Sequence, residues 1–426
     1  MEKLQHVWKI KALRTNILFV LGMLVIFRLV AHIPVPGVNT ENLSAFLDGN
    51  QLLGYLNVFS GGTIENFSLV MLGIAPYITA SIVFQLLTMV VPKLEEMSKE
   101  GESGQQKINM YTRIATVPFA LLQAYGFIQL LNQSSTQIID SASSWKVATI
   151  MLTVTAGTIF LMWIGELITE RKIGNGISLL IFASIVASFP TALQTAWVNY
   201  DSSQLYTYAL FALMTVVTIV GVIVVSEGQR NIPIQYAKQG AVRGRGPSAS
   251  AASHLPLRVN MAGVIPIIFA ISLVLFPPVV AQFFITKGGW VTTAANTVIN
   301  LFNNQLFYGV LYFLLVFGFT YFYTAIIFQP QKIAENLQRQ GAFVPGIRPG
   351  KETETYLQKV VGRLLLTGAT FLSAVAVLPL VMQTFTRSQS LVIGGTSLLI
   401  VVSVAIETAK QVEAQVTVHE YDSISY

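Results

Sequence analysis

The chain has 426 residues, of which 53% are hydrophobic and only 11% charged, with a mean hydropathy of +0.62. So few charges cannot clothe a soluble surface of this size, which places the chain in lipid. Its net charge of +6 therefore bears on orientation rather than on nucleic acid, and the absence of cysteine excludes disulfides, thiolate metal sites and thiol nucleophiles.

Crossing a hydrocarbon core of about 30 Å takes roughly 20 apolar residues. Ten charge-poor stretches of that order follow one another. The first, 15–33, comes after Lys9, Lys11 and Arg14 and is interrupted by Arg28; with further spans behind it, it reads as a retained helix rather than a signal peptide. Between it and the second span, 70–91, lies NVFSGGTIENFSLV (57–70). That segment is too polar to span and is broken by Gly61 and Gly62, yet Val58, Phe59, Ile64 and Phe67 make it too apolar for a solvated loop. Two readings stand: a re-entrant segment buried in protein, or an amphipathic helix on the outer surface.

The remaining spans are expected at 113–132, 147–168, 177–196, 206–226, 260–282, 306–328, 360–382 and 389–407. The windows 173–200, 202–226, 259–286 and 364–386 hold no charged residue, as lipid demands of helix centres. Only Arg28, Lys146, Lys287 and Arg387 fall on one side of this arrangement, leaving 22 of the 26 basic residues on the other, which is therefore cytoplasmic together with both termini. Two cytoplasmic loops are long and basic. The first, 227–258, carries Arg230, Lys238, Arg243, Arg245 and Arg258, with a flexible tip GRGPSASAAS (244–253). The second, 329–359, carries Lys332, Arg339, Arg348, Lys351 and Lys359. Loops like these either set topology or receive a partner. Ten spans also divide into five and five, and an odd number per half inverts the second half relative to the first.

Catalytic patterns are missing. Gly350-Lys351 is followed by Glu352 and has Pro345 where a phosphate loop needs glycine, and there is no GxSxG elbow. His6, His32, His254 and His419 are too scattered for a metal site, and no cofactor is expected. The span interiors lack the ionisable residues of proton relays and ion-coupled carriers, since Glu166, Glu170 and Glu407 sit near predicted cytoplasmic ends. The chain therefore reads as a passive conduit or scaffold, not an enzyme, with energy supplied by a partner.

The segments LGIAPYITASIVFQLLT (72–88), KEGESGQQKINMYTR (99–113), ITERKIGNGISLLIF (168–182), LPLRVNMAGVIPIIFA (255–270), GAFVPGIRPGKETETYL (341–357) and GGTSLLIVVSVAIE (394–407) resemble the SecY family, in the family's order and from end to end. The resemblance implies an all-α polytopic membrane protein of ten transmembrane helices in two inverted five-helix halves around a central pore. The halves would be residues 1–200, with spans 1–5, and 201–426, with spans 6–10 and the loops 227–258 and 329–359. They would hinge between spans 5 and 6, with a lateral gate opposite.

The resemblance further implies a pore ring of Ile78, Ile82, Ile181, Ile268 and Ile400, able to yield around a chain while blocking ions by dewetting. It implies a re-entrant plug helix under the ring at 57–68, comprising Asn57, Val58, Phe59, Ser60, Gly61, Gly62, Thr63, Ile64, Glu65, Asn66, Phe67 and Ser68. The gate would lie between spans 2 and 3 and spans 7 and 8, with Gln85 a polar spot that eases opening and Gly263 and Pro266 loosening span 7. Arg348 matches a family arginine at a partner interface, and Arg230, Lys238, Arg243 and Arg245 belong to the other partner-binding loop, whose tip is less basic than the family pattern.

The implied partners are the subunits SecE and SecG, the SecA ATPase, the ribosome through its RNA phosphates, a secretory preprotein with its signal peptide, and membrane lipid. The implied location is the bacterial plasma membrane. Against this protein-conducting channel stand two other readings: an inverted-repeat secondary transporter for a small solute, which requires ionisable groups at the midplane, and a membrane scaffold with no conduit.

Overall fold

The computed structural model describes residues 8–36, 38, 40, 42–44, 57, 60–132, 138, 144–198, 205–236, 253–282, 284–285, 289–386 and 394–424. The protein is a multi-pass membrane protein built of helices: α1 (Lys11–Ala31), α2 (Ala75–Val90), α3 (Pro92–Lys99), α4 (Glu102–Asn132), α5 (Ser144–Glu170), α6 (Gly176–Val198), α7 (Leu205–Glu227), α8 (Ile265–Gln282), α9 (Gly289–Asn303), α10 (Gln305–Ile327), α11 (Pro330–Arg339), α12 (Lys351–Thr386) and α13 (Gly394–Ile424). The expected spans overlap these helices where they are described, although the second begins only at Ala75 and the seventh only at Ile265. Among the described residues six helices are long and apolar enough to cross a membrane, or seven if the pair α2 and α3, bent by 100° at Val91 and Pro92, is one span; α6 and α8 carry shorter apolar stretches.

Several hydroxyls inside the spans bond back to the carbonyl four residues earlier, as Thr79 does to Ala75 (3.0 Å), Thr116 to Thr112 (2.8 Å) and Thr320 to Val316 (2.7 Å). A hydroxyl in lipid has no water to turn to, so this local acceptor removes the cost of burying it.

The helices pack in a pattern that occurs twice. α1 lies against α5 and α6, α2 against α4, α4 against α5, and α5 against α6. Likewise α7 lies against α12 and α13, α8 against α10, α10 against α12, and α12 against α13. Between the two sets the principal contacts are α8 with α2 and α4, and α6 with α13.

The long basic loops are more ordered than expected from sequence. β1 (Gln229–Tyr236) pairs antiparallel with β2 (Ser253–Arg258) and with β3 (Ala342–Phe343), so strands from both loops join one sheet in the order β2-β1-β3. Ile232 and Ile234 alternate inward along β1, and Ile232 joins Leu257, Val344, Leu357, Val360 and Val361 in a small core of its own. This burial is the reason that segments read as loops fold into strands. Residues 237–252, with Lys238, Arg243 and Arg245, lie outside the described residues.

Candidate functional site

Four of the five expected ring residues, Ile78 of α2, Ile181 of α6, Ile268 of α8 and Ile400 of α13, line one cavity of about 140 Å³. Ile82 lies one turn further along α2 from Ile78, and all five are buried in a single apolar cluster. The fold thus draws together residues up to 322 positions apart. These branched side chains offer the cavity no hydrogen-bonding group.

Ser60 and Ile64 of the expected plug line the same cavity. Asn57 and Ser60 have helical geometry, but 61–74 is a run of turns, so the expected plug helix does not extend through 68. The cause is local: Gly61 and Gly62 adopt φ of 73° and 80°, which only glycine takes without strain. The turns are held firmly. Asn57 closes a loop by donating from Nδ2 to Glu65 Oε2 (3.2 Å) and accepting at Oδ1 from the Glu65 amide (3.1 Å). The Val35 amide donates to the Phe67 carbonyl and the Leu69 amide to the Ile33 carbonyl, both at 2.9 Å. Phe67 itself sits at φ 42°, a costly conformation for a bulky residue, retained because its ring is fully buried and its amide and carbonyl are both bonded. A Cβ at Gly157 of α5 would stand 2.0 Å from the Leu69 carbonyl oxygen, so this segment reaches its place only across a residue without a side chain. Val58 and Phe59 lie outside the described residues.

The expected gate is a seam where α8 meets α2 and α4. Phe119 of α4 meets Phe276 of α8 edge-on at 6.2 Å. Gln85 of α2 donates to Ser81 Oγ (3.3 Å), while its Oε1 is buried with no partner among the described residues. Gly263 requires a correction: α8 starts at Ile265, not near 260, so Gly263 lies before the helix and Pro266 in its first turn. Gly263 occupies the preceding turn at φ 63°, and Pro266 is the second helical residue, where its missing N–H breaks no helical bond. The prolines within α8 are Pro277 and Pro278. Their side-by-side position in an apolar run was visible in the sequence; that they fall beside the seam was not.

Toward the long loops lies a second cavity of about 600 Å³, whose lining includes Asn175, Arg258, Asn260, Ser403, Glu407 and Lys410. Glu166 pairs with Arg113 of α4, and Glu227 with Lys410 across α7 and α13 (2.9 Å). Arg230 is exposed on β1. Arg348 is exposed in a turn between Gly346 (φ 81°) and Gly350 (φ 96°), its carbonyl accepting from Thr353 Oγ1 at 2.8 Å. Among the described residues no group of three or more His, Asp or Glu is placed to hold a metal.

The family model SecY matches residues 68–409. A relative from Halalkalibacterium halodurans, the protein translocase subunit SecY, is 45% identical over 428 residues, covering 98% of each chain. Two solved structures share the fold. One, from a study in which the plug domain of SecY stabilises the closed state of the translocation channel and maintains a membrane seal, superposes with a TM-score of 0.59 at 15% identity, covering 93% of this chain and 91% of that one. The other, Sec61 in a canine ribosome-channel complex from the endoplasmic reticulum, gives 0.60 at 14% identity with the same coverage.

Proposed function

The chain belongs to the SecY family, and from that premise we propose that it passes unfolded secretory polypeptides through the pore ringed by Ile78, Ile82, Ile181, Ile268 and Ile400. It is a protein translocation channel. The observation that carries the pore assignment is the meeting of four of these isoleucines, from four helices distant in sequence, on one cavity capped by Ser60 and Ile64. The ring seals around a passing chain because branched aliphatic side chains yield by rotamer changes while staying dry. The plug, Asn57 to Ser68, closes the path when no substrate is present.

The paired packing pattern supports two five-helix halves, 1–200 and 201–426, related by inversion: α1, α2, α4, α5 and α6 correspond to α7, α8, α10, α12 and α13. The halves part along the seam of α8 with α2 and α4, hinging near α6 and α7, and a hydrophobic segment leaves by that seam into lipid. The basic loops orient the chain with both termini cytoplasmic in a bacterial plasma membrane. The motor is separate: the SecA ATPase or a translating ribosome docks on the shared sheet and the Arg348 turn, with SecE and SecG as companion subunits. Arg230 and the loop residues Lys238, Arg243 and Arg245 offer salt-sensitive contacts to RNA phosphates. A solute transporter is disfavoured because, among the described residues, the lining of the ring cavity includes no ionisable residue.

The test is crosslinking on the naturally cysteine-free background. A precursor carrying one cysteine is stalled in mid-translocation in membranes containing Ile82→Cys, or Leu366→Cys on the exposed face of α12. A disulfide adduct at 82 and none at 366 is expected; no adduct at 82 under verified stalling would remove the pore assignment.

A further inference from the structure

Arg28 is the only Asp, Glu, Lys or Arg within the first apolar stretch, 15–33. A charge there is unfavourable in lipid, and from the last turn of α1 its side chain could extend outward to the headgroups, as long cationic side chains do. Instead its Nη1 donates to the carbonyl oxygen of Gly61, 3.0 Å away and 33 residues later in the chain. Gly61 is held from a second helix as well. A Cβ there would lie 2.8 Å from the Cα and carbonyl oxygen of Ser184 on α6, so the backbone at this turn touches α6 directly. Its neighbours Ser60 and Ile64 face the cavity of the isoleucines.

We propose that Arg28 is the positioning residue that latches the plug: its guanidinium holds the Gly61 carbonyl so that the turn stays pressed on Ser184 and the plug stays under the ring. This rests on the plug reading given above. A charged donor makes a stronger bond to a carbonyl than a neutral one, and in a site with little water the bond is stronger still. Opening the channel breaks this bond, and the carbonyl and guanidinium must then find water or the substrate backbone. Arg28 therefore biases the resting state without touching the translocating chain, and its presence on the sparsely charged outer side is explained by the plug rather than by topology.

The experiment measures resting chloride leak in vesicles of phosphatidylethanolamine and phosphatidylglycerol containing the full chain with its companion subunits. Four channels are compared: unaltered, lacking 57–68, Arg28→Met and Arg28→Lys. Met keeps the unbranched apolar stem of the side chain but lacks the guanidinium and has no donor. The expected result is a leak raised roughly tenfold in Arg28→Met, approaching the plug-deleted channel, with Arg28→Lys restoring most of the seal. Precursor transport through Arg28→Met should be retained, which separates a latch from a folding defect. If Arg28→Met does not insert, Gly61→Ala displaces the acceptor instead and should leak similarly, and adding Arg28→Lys to it should raise the leak no further. A sealed Arg28→Met, or a sealed Gly61→Ala in its place, beside a leaking plug-deleted channel overturns the latch alone. A plug-deleted channel that stays sealed overturns the plug reading and the latch with it.

Discussion

The two cavities lying in order along α8 and α13 differ in kind. Along α8 the polar cavity touches Gly263 and Ile265 and the apolar one begins at Ile268; along α13 the apolar cavity touches Ile400 and the polar one begins at Ser403. The first, about 140 Å³, is lined mainly by aliphatic and aromatic side chains, with Ser60, Thr79, Gln123 and Ser272 among them, and the second, about 600 Å³, mixes apolar side chains such as Ile265, Ile327 and Ile406 with amides, hydroxyls and the charges of Lys172, Arg258, Glu407 and Lys410. The change occurs within about one helical turn, since a residue advances an α-helix by about 1.5 Å. On α13 the charges Glu407 and Lys410 fall on the polar side of Ile400, and α8 carries none.

The sharpest way to break this contrast is to unseat the apolar side. Gly157→Leu would drive a side chain into the Leu69 carbonyl, which already stands 2.0 Å from where a Cβ would sit. The expected loss is about 3 kcal/mol or more, read as a collapse in the yield of monodisperse protein after detergent extraction. A normal yield would mean that the turns 61–74 repack freely.

Next in size is wetting the boundary itself. Ile181→Asn places an amide in the ring and should raise resting ion leak about tenfold, with extraction yield unchanged. An unchanged leak would move the barrier away from the isoleucines.

A smaller effect is expected at the seam. Phe276→Ala removes the edge-on contact with Phe119, which contributes about 1 kcal/mol beyond simple burial. Passage of precursors with weakened signal sequences should rise several-fold; a fall would mean that the aromatic pair serves the open state.

The smallest is Gln85→Leu. It deletes a buried carbonyl oxygen lacking a partner among the described residues and should stabilise the closed seam by about 1 kcal/mol. Weak signal sequences should then pass less well than in the unaltered protein, and an increase would show that Gln85 is not a burden on closure.

Much of this was legible in the residues. The apolar stretches, the charge-free windows and the glycine break at 61 and 62 follow from the cost of charge in lipid and the conformations open to glycine; the stretches overlap helices, of which six or seven among the described residues are long and apolar enough to cross a membrane, and the glycines form a turn. The ring isoleucines were reached only through the family resemblance, because an isoleucine in an apolar span carries no mark of which way it faces. Arg28 was visible as an oddity, an interruption in an apolar run, but its partner is a backbone carbonyl, and every residue has one. Gly263 was misplaced because apolar composition continues smoothly through 260–282, whereas the helix starts only where the turn at Gly263 ends.

The sequence by itself determined that this chain lives in lipid, roughly where its apolar helices run and that its loops carry cations, since each depends on local composition and the energy of transfer. Tertiary structure alone decided which four helices share the isoleucine cavity, that strands from two separate loops complete one sheet, and that Arg28 reaches Gly61. These depend on contacts between residues far apart in the chain, where many partners would serve equally well until packing excludes all but one.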